Sequence, residues 1–178
     1  PKLLHREILS YEEILRVVRV GTALGISKIR ITGGEPLVRK GVYHFLSQLT
    51  KIEGLQDISL TTNGVLLKDN ISKISSANIK RINISLDTLN KTKFKRITGY
   101  DFFDQIWKGI HLARKMGFYP IKINVVPLKG INDDELVDIA RLSIKYPFHI
   151  RFIEYMPMGS NQISSDHHLL APEIKEHI

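Results

Sequence analysis

Five times along this 178-residue chain, a short run of alternating branched apolar and polar side chains gives way to a longer stretch with helical spacing. The strand-like runs cover 28–32, 57–62, 81–86, 121–126 and 149–154. Each connection is long enough for a right-handed crossover, so the strands are expected to lie parallel in one sheet. The strand ends at Thr32, Thr61, Ser85, Asn124 and Glu154 are 29, 24, 39 and 30 residues apart. That regularity fits an α/β fold built as a partial parallel (β/α) barrel of the TIM-like type better than a doubly wound sheet.

Start and stop signals place the helices. Ser10 with Glu13 three residues on is a capping box, Ile14, Val17, Val18, Ala23 and Leu24 recur at roughly helical spacing, and Gly25 closes the segment. A second helix is expected over 41–52, with Val42, Phe45, Leu46 and Leu49 on one face and Gly54 at its end. Others are expected near 72–77, stopped by Asn78, at 92–96, and over 103–116, stopped by Gly117, with Phe102, Phe103 and Trp107 in the core. Asn132, reinforced by Glu135, is expected to cap a helix running through 144. Residues 1–10 and 156–168 read as loops, the His167-His168 pair as solvated, and a last helix begins after Pro172.

Parallel strands covered on both faces are nearly continuous apolar runs. These are not. One face carries Ile29, Ile31, Ile58, Leu60, Ile82, Ile84, Ile121, Ile123 and Val125, which are assigned to packing against helices. The other carries Arg30, Thr32, Ser59, Thr61, Asn83, Ser85, Lys122 and Asn124. Each such group buried without a partner costs roughly 1–3 kcal/mol, so a cavity holding a polar ligand is the expected arrangement. The other reading for each of these residues, Asn83 and Ser59 above all, is a hydrogen bond to a neighbouring side chain or an ion pair at the bottom of the barrel.

The first strand ends in Gly33-Gly34-Glu35-Pro36. Paired glycines let main-chain groups approach a small molecule, and the proline holds Glu35 extended. A plain tight turn is the alternative. The chain carries a net charge of +8, which favours an anionic partner. Its basic residues are dispersed and no aromatic motif repeats, so a phosphorylated small molecule ranks above nucleic acid. Arg30 and Lys122 match a triphosphate in charge and, for Arg, in fork geometry. There is no cysteine, hence no disulfide and no thiolate ligand or nucleophile among these residues. The cluster 133–135 at a helix start reads as macrodipole complementarity, with no metal site.

With these residues in hand, the chain resembles the radical S-adenosyl-L-methionine (SAM) enzymes of the GTP 3′,8-cyclase family in molybdenum cofactor biosynthesis. The matching segments are Lys-Ile-Arg-Ile-Thr-Gly-Gly-Glu-Pro-Leu-Val-Arg (28–39), Leu-Thr-Thr-Asn-Gly (60–64), Arg-Ile-Asn-Ile-Ser-Leu-Asp (81–87), Lys-Ile-Asn-Val-Val (122–126), Lys-Gly-Ile-Asn-Asp-Asp-Glu (129–135) and Arg-Phe-Ile-Glu-Tyr-Met-Pro (151–157). The resemblance implies that Gly34, Ser85 and Met156 contact SAM and that Arg30, Thr61 and Lys122 contact GTP. It implies no side chain as general acid or base.

The reaction it implies begins with reduction of SAM at a 4Fe-4S cluster. The resulting 5′-deoxyadenosyl radical abstracts a ribose hydrogen of GTP, and the carbon radical closes onto C8 of guanine. The family's cluster-binding cysteines and a C-terminal arginine segment have no counterpart here. The chain is therefore expected to be a fragment cut at both ends, inactive alone, with a barrel core over 1–160 and a segment leading onward over 161–178. No run approaches the roughly 18 apolar residues of a membrane span and no leader is visible, so a soluble, cytoplasmic protein is expected. A homodimer, and transfer of product to the cyclic pyranopterin monophosphate synthase step, are further implications. The alternatives are another radical SAM enzyme or a cluster-free phosphate-binding module.

Overall fold

The computed structural model describes residues 8–157 and 163–178. The loops expected at 1–10 and 156–168 therefore fall partly outside the described residues. Five strands, β1 (Lys28–Ile31), β2 (Asp57–Thr62), β3 (Arg81–Ser85), β4 (Ile121–Val125) and β5 (Phe148–Phe152), form one sheet in chain order. Every adjacent pair is parallel. Among the described residues seven α-helices accompany them: α1 (Tyr11–Ala23), α2 (Val42–Leu49), α3 (Leu67–Ser76), α4 (Lys91–Thr98), α5 (Phe103–Lys115), α6 (Leu136–Lys145) and α7 (Ala171–His177). A strand followed by a helical crossover, repeated without a change of direction, is the arrangement of a partial (β/α) barrel.

The apolar strand face makes the core. Leu60, Ile82 and Ile121 stand in one register row between Ile31 and Phe148, and all but the half-buried Ile31 are buried. Leu46 and Leu49 of α2, Leu67, Ile71 and Ile74 of α3, and Ile106 and Ile110 of α5 cover this face at helical spacing. Fully burying such a side chain contributes about 1.5–3 kcal/mol. A smaller cluster of Leu136, Leu169 and Ile174 seats α7 on α6. Among the described residues no helix is long and apolar enough to cross a membrane.

Several boundaries follow the sequence signals. Ser10 and Glu13 form the capping box of α1, with the Glu13 amide donating to Ser10 Oγ at 3.1 Å and the Ser10 amide to Glu13 Oε2 at 2.7 Å. Asn78 adopts a left-handed φ of 59° just past α3. Other expectations are corrected. α3 starts at Leu67, five residues before the expected 72, because burial of Leu67 and Ile71 extends the helix where no side chain caps it. Phe102 is 37% exposed and stacks on Tyr100, whereas Phe103 is buried.

The Asn132–Glu135 pair is no capping box. A 3-10 turn over Asp133–Glu135 precedes α6, and both side chains are engaged elsewhere. β5 ends at Phe152, and Glu154 instead accepts from the Ala171 amide at 2.7 Å at the start of α7. The two histidines are tied to main chain, His167 Nδ1 lying 2.7 Å from the Lys129 carbonyl and His168 Nε2 3.2 Å from that of Ile163.

Candidate functional site

The polar strand face is ordered by the register into rows. Arg30 pairs with Ser59 and Ser59 with Arg81. Thr61, Asn83, Lys122 and His149 form the next row. Ser85, Asn124 and Arg151 form the third, at the C-terminal end of the sheet. Strand alternation thus puts Arg30, Thr61, Ser85 and Lys122 on one face, as the sequence pattern requires. Arg81, His149 and Arg151 join them. Sequence reading missed these three, although their even spacing from Asn83 and Ser85, or between themselves, carried the signal.

Charge on this face is lopsided. Asp57 is ion-paired with Arg81, while among the described residues neither Arg30 nor Lys122 has an acidic partner. A cavity of about 70 Å³ brings Arg30, Arg81 and Lys122 together with Asp57, Ser59 and Asn83. The buried Asn83 donates to Thr61 Oγ1 at 3.3 Å, which links Thr61 to this hollow. The hollow does not reach Ser85. Ser85 is exposed and lines a separate recess of about 170 Å³ with Asp87 and Asn63, walled by Phe94 and Ile106. The recess beside Ser85 lies where the end of β3 meets α4 and α5, and Arg30 also borders a recess of about 270 Å³ with Thr32, Pro36 and Arg39.

One polar atom on this face stands alone. The side-chain oxygen of Asn124 is buried and accepts no hydrogen bond among the described residues. A buried acceptor left unmatched costs about 1–3 kcal/mol, and a donor from a ligand would recover it.

The loop after β1 forms the rim. Gly33 has a left-handed φ of 153°, and a Cβ built on Gly33 or Gly34 meets nothing within 4 Å, so open space lies against bare main chain at both. Glu35 is extended, at φ −118° and ψ 109°, as the following proline demands. Its carboxylate accepts from the Leu37 amide at 3.1 Å, the Thr62 hydroxyl at 2.8 Å and the Asn63 amide at 2.7 Å. Glu35 thereby fastens the glycine loop to the end of β2, a role not read from the sequence. Met156, four residues past β5, is 62% exposed and lies toward the same end of the sheet as Gly34 and Ser85.

Carboxylates also lace together the loops after β3 and β4. Asp87 accepts from the Val126 amide at 2.8 Å. Burial pushes its carboxyl above the ordinary carboxylate range, and the Val126 hydrogen bond offsets part of that rise. Glu135 accepts from the Thr88 hydroxyl at 2.7 Å and the Leu89 amide at 2.8 Å, and is ion-paired with Lys93. The hydrogen bond with Asp134 raises the Lys93 pKa and lowers that of Asp134. Asp133 accepts from the Gly130 amide at 2.8 Å, so all three carboxylates at 133–135 are engaged, and they lie in the first turn of the helical segment, where negative charge also suits the macrodipole. Among the described residues no group of three His, Asp or Glu side chains is placed to hold a metal ion.

Residues 2–143 match the radical SAM superfamily. The chain is 51% identical over 174 residues to a protein of Thermodesulfovibrio yellowstonii named GTP 3′,8-cyclase, a match covering 98% of this chain and 54% of that protein. Proteins of the same name from Petrotoga mobilis and Moorella thermoacetica are 50% and 48% identical, over 97% and 98% of this chain and 54% of each protein. The chain spans about half the length of these curated relatives.

Among solved structures, a radical SAM methyltransferase from Sphaerobacter thermophilus matches with a TM-score of 0.70 at 16% identity, over 95% of this chain and 53% of that one. The protein anSMEcpe, solved with AdoMet and the Cp18Cys peptide, matches with a TM-score of 0.70 at 19% identity, over 96% of this chain and 50% of that one. At such identities the likeness bears on the fold alone, and it agrees with the partial barrel.

Proposed function

The chain belongs to the radical SAM superfamily, and on that premise we propose that it is part of a GTP 3′,8-cyclase. The reaction is conversion of GTP to (8S)-3′,8-cyclo-7,8-dihydroguanosine 5′-triphosphate, the first step of molybdenum cofactor biosynthesis. One observation carries this reading: Arg30 and Lys122, which have no acidic partner among the described residues, share a hollow whose one carboxylate, Asp57, is paired to Arg81, in a chain half identical along nearly its whole length to proteins of that name.

Arg30 and Lys122 neutralise the triphosphate, Arg30 through paired N–H donors and Lys122 as a point charge. Thr61, held by Asn83, offers its hydroxyl to the same ligand. Gly34 brings main-chain groups to SAM without side-chain bulk, Ser85 supplies a hydroxyl, and Met156 covers the adenosine. The bare glycine rim and the unmatched oxygen of Asn124 fit an organic cosubstrate rich in donors and acceptors. SAM supplies the hydrogen-abstracting species of this chemistry, and the residues here bind, orient and shield it. A 4Fe-4S cluster needs thiolates, and the 178 residues include none, so its ligands are not among them.

The same reading takes residues 1–160 as barrel core and 161–178 as a segment leading onward. It also takes the protein as cytoplasmic and homodimeric, delivering its product to the cyclic pyranopterin monophosphate synthase step. The full gene product, with clusters reconstituted under reducing conditions, is expected to form 5′-deoxyadenosine and the cyclised nucleotide from SAM and GTP. Formation of neither overturns the reading. Arg30→Ala and Lys122→Ala are each expected to raise the Kd for GTP by about tenfold or more and leave that for SAM unchanged. Equal losses for both ligands would point to a different substrate.

A further inference from the structure

Asn132 is 0% exposed, and its side chain is almost fully engaged. Its amide nitrogen donates to the Asp87 carbonyl at 2.7 Å and to the Val126 carbonyl at 3.0 Å, and its amide oxygen accepts from the Leu128 amide at 2.7 Å. Only a carboxamide offers two donors and an acceptor in this small space. The carbonyls it joins lie just past the ends of β3 and β4, where the sheet ladder has stopped. The Leu86 amide makes a last backbone bond to the Asn124 carbonyl at 3.0 Å. Beyond that point side chains replace the ladder, since the Val126 amide donates to the Asp87 carboxylate at 2.8 Å.

Ser85 is the last residue of β3, in register with Asn124 and exposed toward solvent. Nothing in its own side chain fixes the direction in which β3 leaves the sheet. The joint formed by Asp87 and Asn132 does so one step beyond the Leu86–Asn124 backbone bond, because it ties the second residue after Ser85 to the first residue after β4. Ser85 is paired on one side only, by Asn124, whereas Lys122 is paired on both sides, by Asn83 and His149. Loosening the joint is expected to free the segment after Ser85 while Lys122 and Arg30 stay held within the ladder.

We propose that Asn132 is a positioning residue for the S-adenosylmethionine side of the site, acting through the main chain of Asp87 to orient Ser85, with no part in holding GTP. This rests on the reading that Ser85 contacts SAM. It assigns to the Lys129–Glu135 loop a role in ligand selectivity that its distance along the chain from Ser85 conceals.

The test is a double-mutant cycle on the full gene product with reconstituted clusters, reading Kd for SAM and for GTP by calorimetry well below the thermal midpoint of every variant. Ser85→Ala is expected to weaken SAM binding. Asn132→Ala is expected to raise the Kd for SAM by about tenfold, with GTP affinity within about twofold of the wild type. The combined variant is expected to bind SAM no worse than the weaker single one. Additive losses, or equal loss for both ligands, overturn the proposal and leave Asn132 a purely stabilising residue. If Asn132→Ala does not fold, Asn132→Asp decides, because it keeps the acceptor for the Leu128 amide and removes both donors to the Asp87 and Val126 carbonyls. It is expected to weaken SAM binding and leave GTP affinity within about twofold of the wild type; equal loss for both ligands, or no loss for SAM, overturns the proposal. A wild type that binds no SAM overturns the functional reading, and one indifferent to Ser85→Ala overturns the role of Ser85, each separately from the cycle.

Discussion

Asp87 shows how one side chain can serve geometry at an electrostatic cost. Burial holds its carboxyl above the ordinary value, with the Val126 amide pulling the other way. A raised carboxyl pKa means that the folded chain binds this proton more tightly than the unfolded one. The corresponding stabilisation is complete below the unfolded value and lost as pH rises through the folded value. Asp87→Asn keeps an acceptor for Val126 and removes the desolvated charge. It is therefore expected to be as stable as the wild type or more so at pH 7, the difference closing toward acid pH, as read from urea unfolding across pH. A clear loss of stability at pH 7 would show that the charge itself is used. Neither this carboxylate nor Asn132 was legible as a joint from the sequence. A polar residue after a strand reads equally as a turn former or a helix cap, and the partners that decide lie 39 and 45 residues away. The cavity-face residues Arg30, Thr61, Ser85 and Lys122 were legible because strand alternation is local.

At the level of elements, the strands were the most readable parts and the helix starts the least. Alternation fixed each strand to within two residues, since the apolar face is buried and a slip of one would invert it. The start of α3 depends on Leu67 finding the core, and that of α4 on Asn90, whose side chain accepts from the Thr92 and Lys93 amides at 2.9 and 3.1 Å. Gly64, between β2 and α3, marks where element packing constrains a single residue. Its φ is 81°, and a Cβ there would sit 2.9 Å from Ile106 Cγ2 and 3.1 Å from Ile84 Cγ2. Gly64→Ala is expected to lower stability by about 2 kcal/mol or more, measured by chemical denaturation, because strain and overpacking act together. A loss of only a few tenths of a kcal/mol would mean that α5 yields to make room. Gly33 and Gly34 meet no such neighbours, so their bareness serves the space outside the chain.

Across the whole molecule, the net charge of +8 gains direction from the fold. Arg30, Arg81, Lys122 and Arg151 fall on one sheet face, with Asp57 committed to Arg81. Affinity for GTP is expected to fall by about tenfold between roughly 0.05 and 0.5 M salt, while affinity for SAM, which carries no phosphate, changes little. Titrations at several salt concentrations check this, and an unchanged GTP affinity would remove phosphate neutralisation from the account. The same cations bear on colloidal behaviour. Among the described residues β1 and β5 are the outermost strands, and they carry Lys28, Arg30 and Arg151. A second copy approaching like edge to like edge would bring basic side chains against basic side chains. Wherever these two strands stand exposed, the charges suited to capturing an anion also disfavour edge-to-edge strand addition between copies.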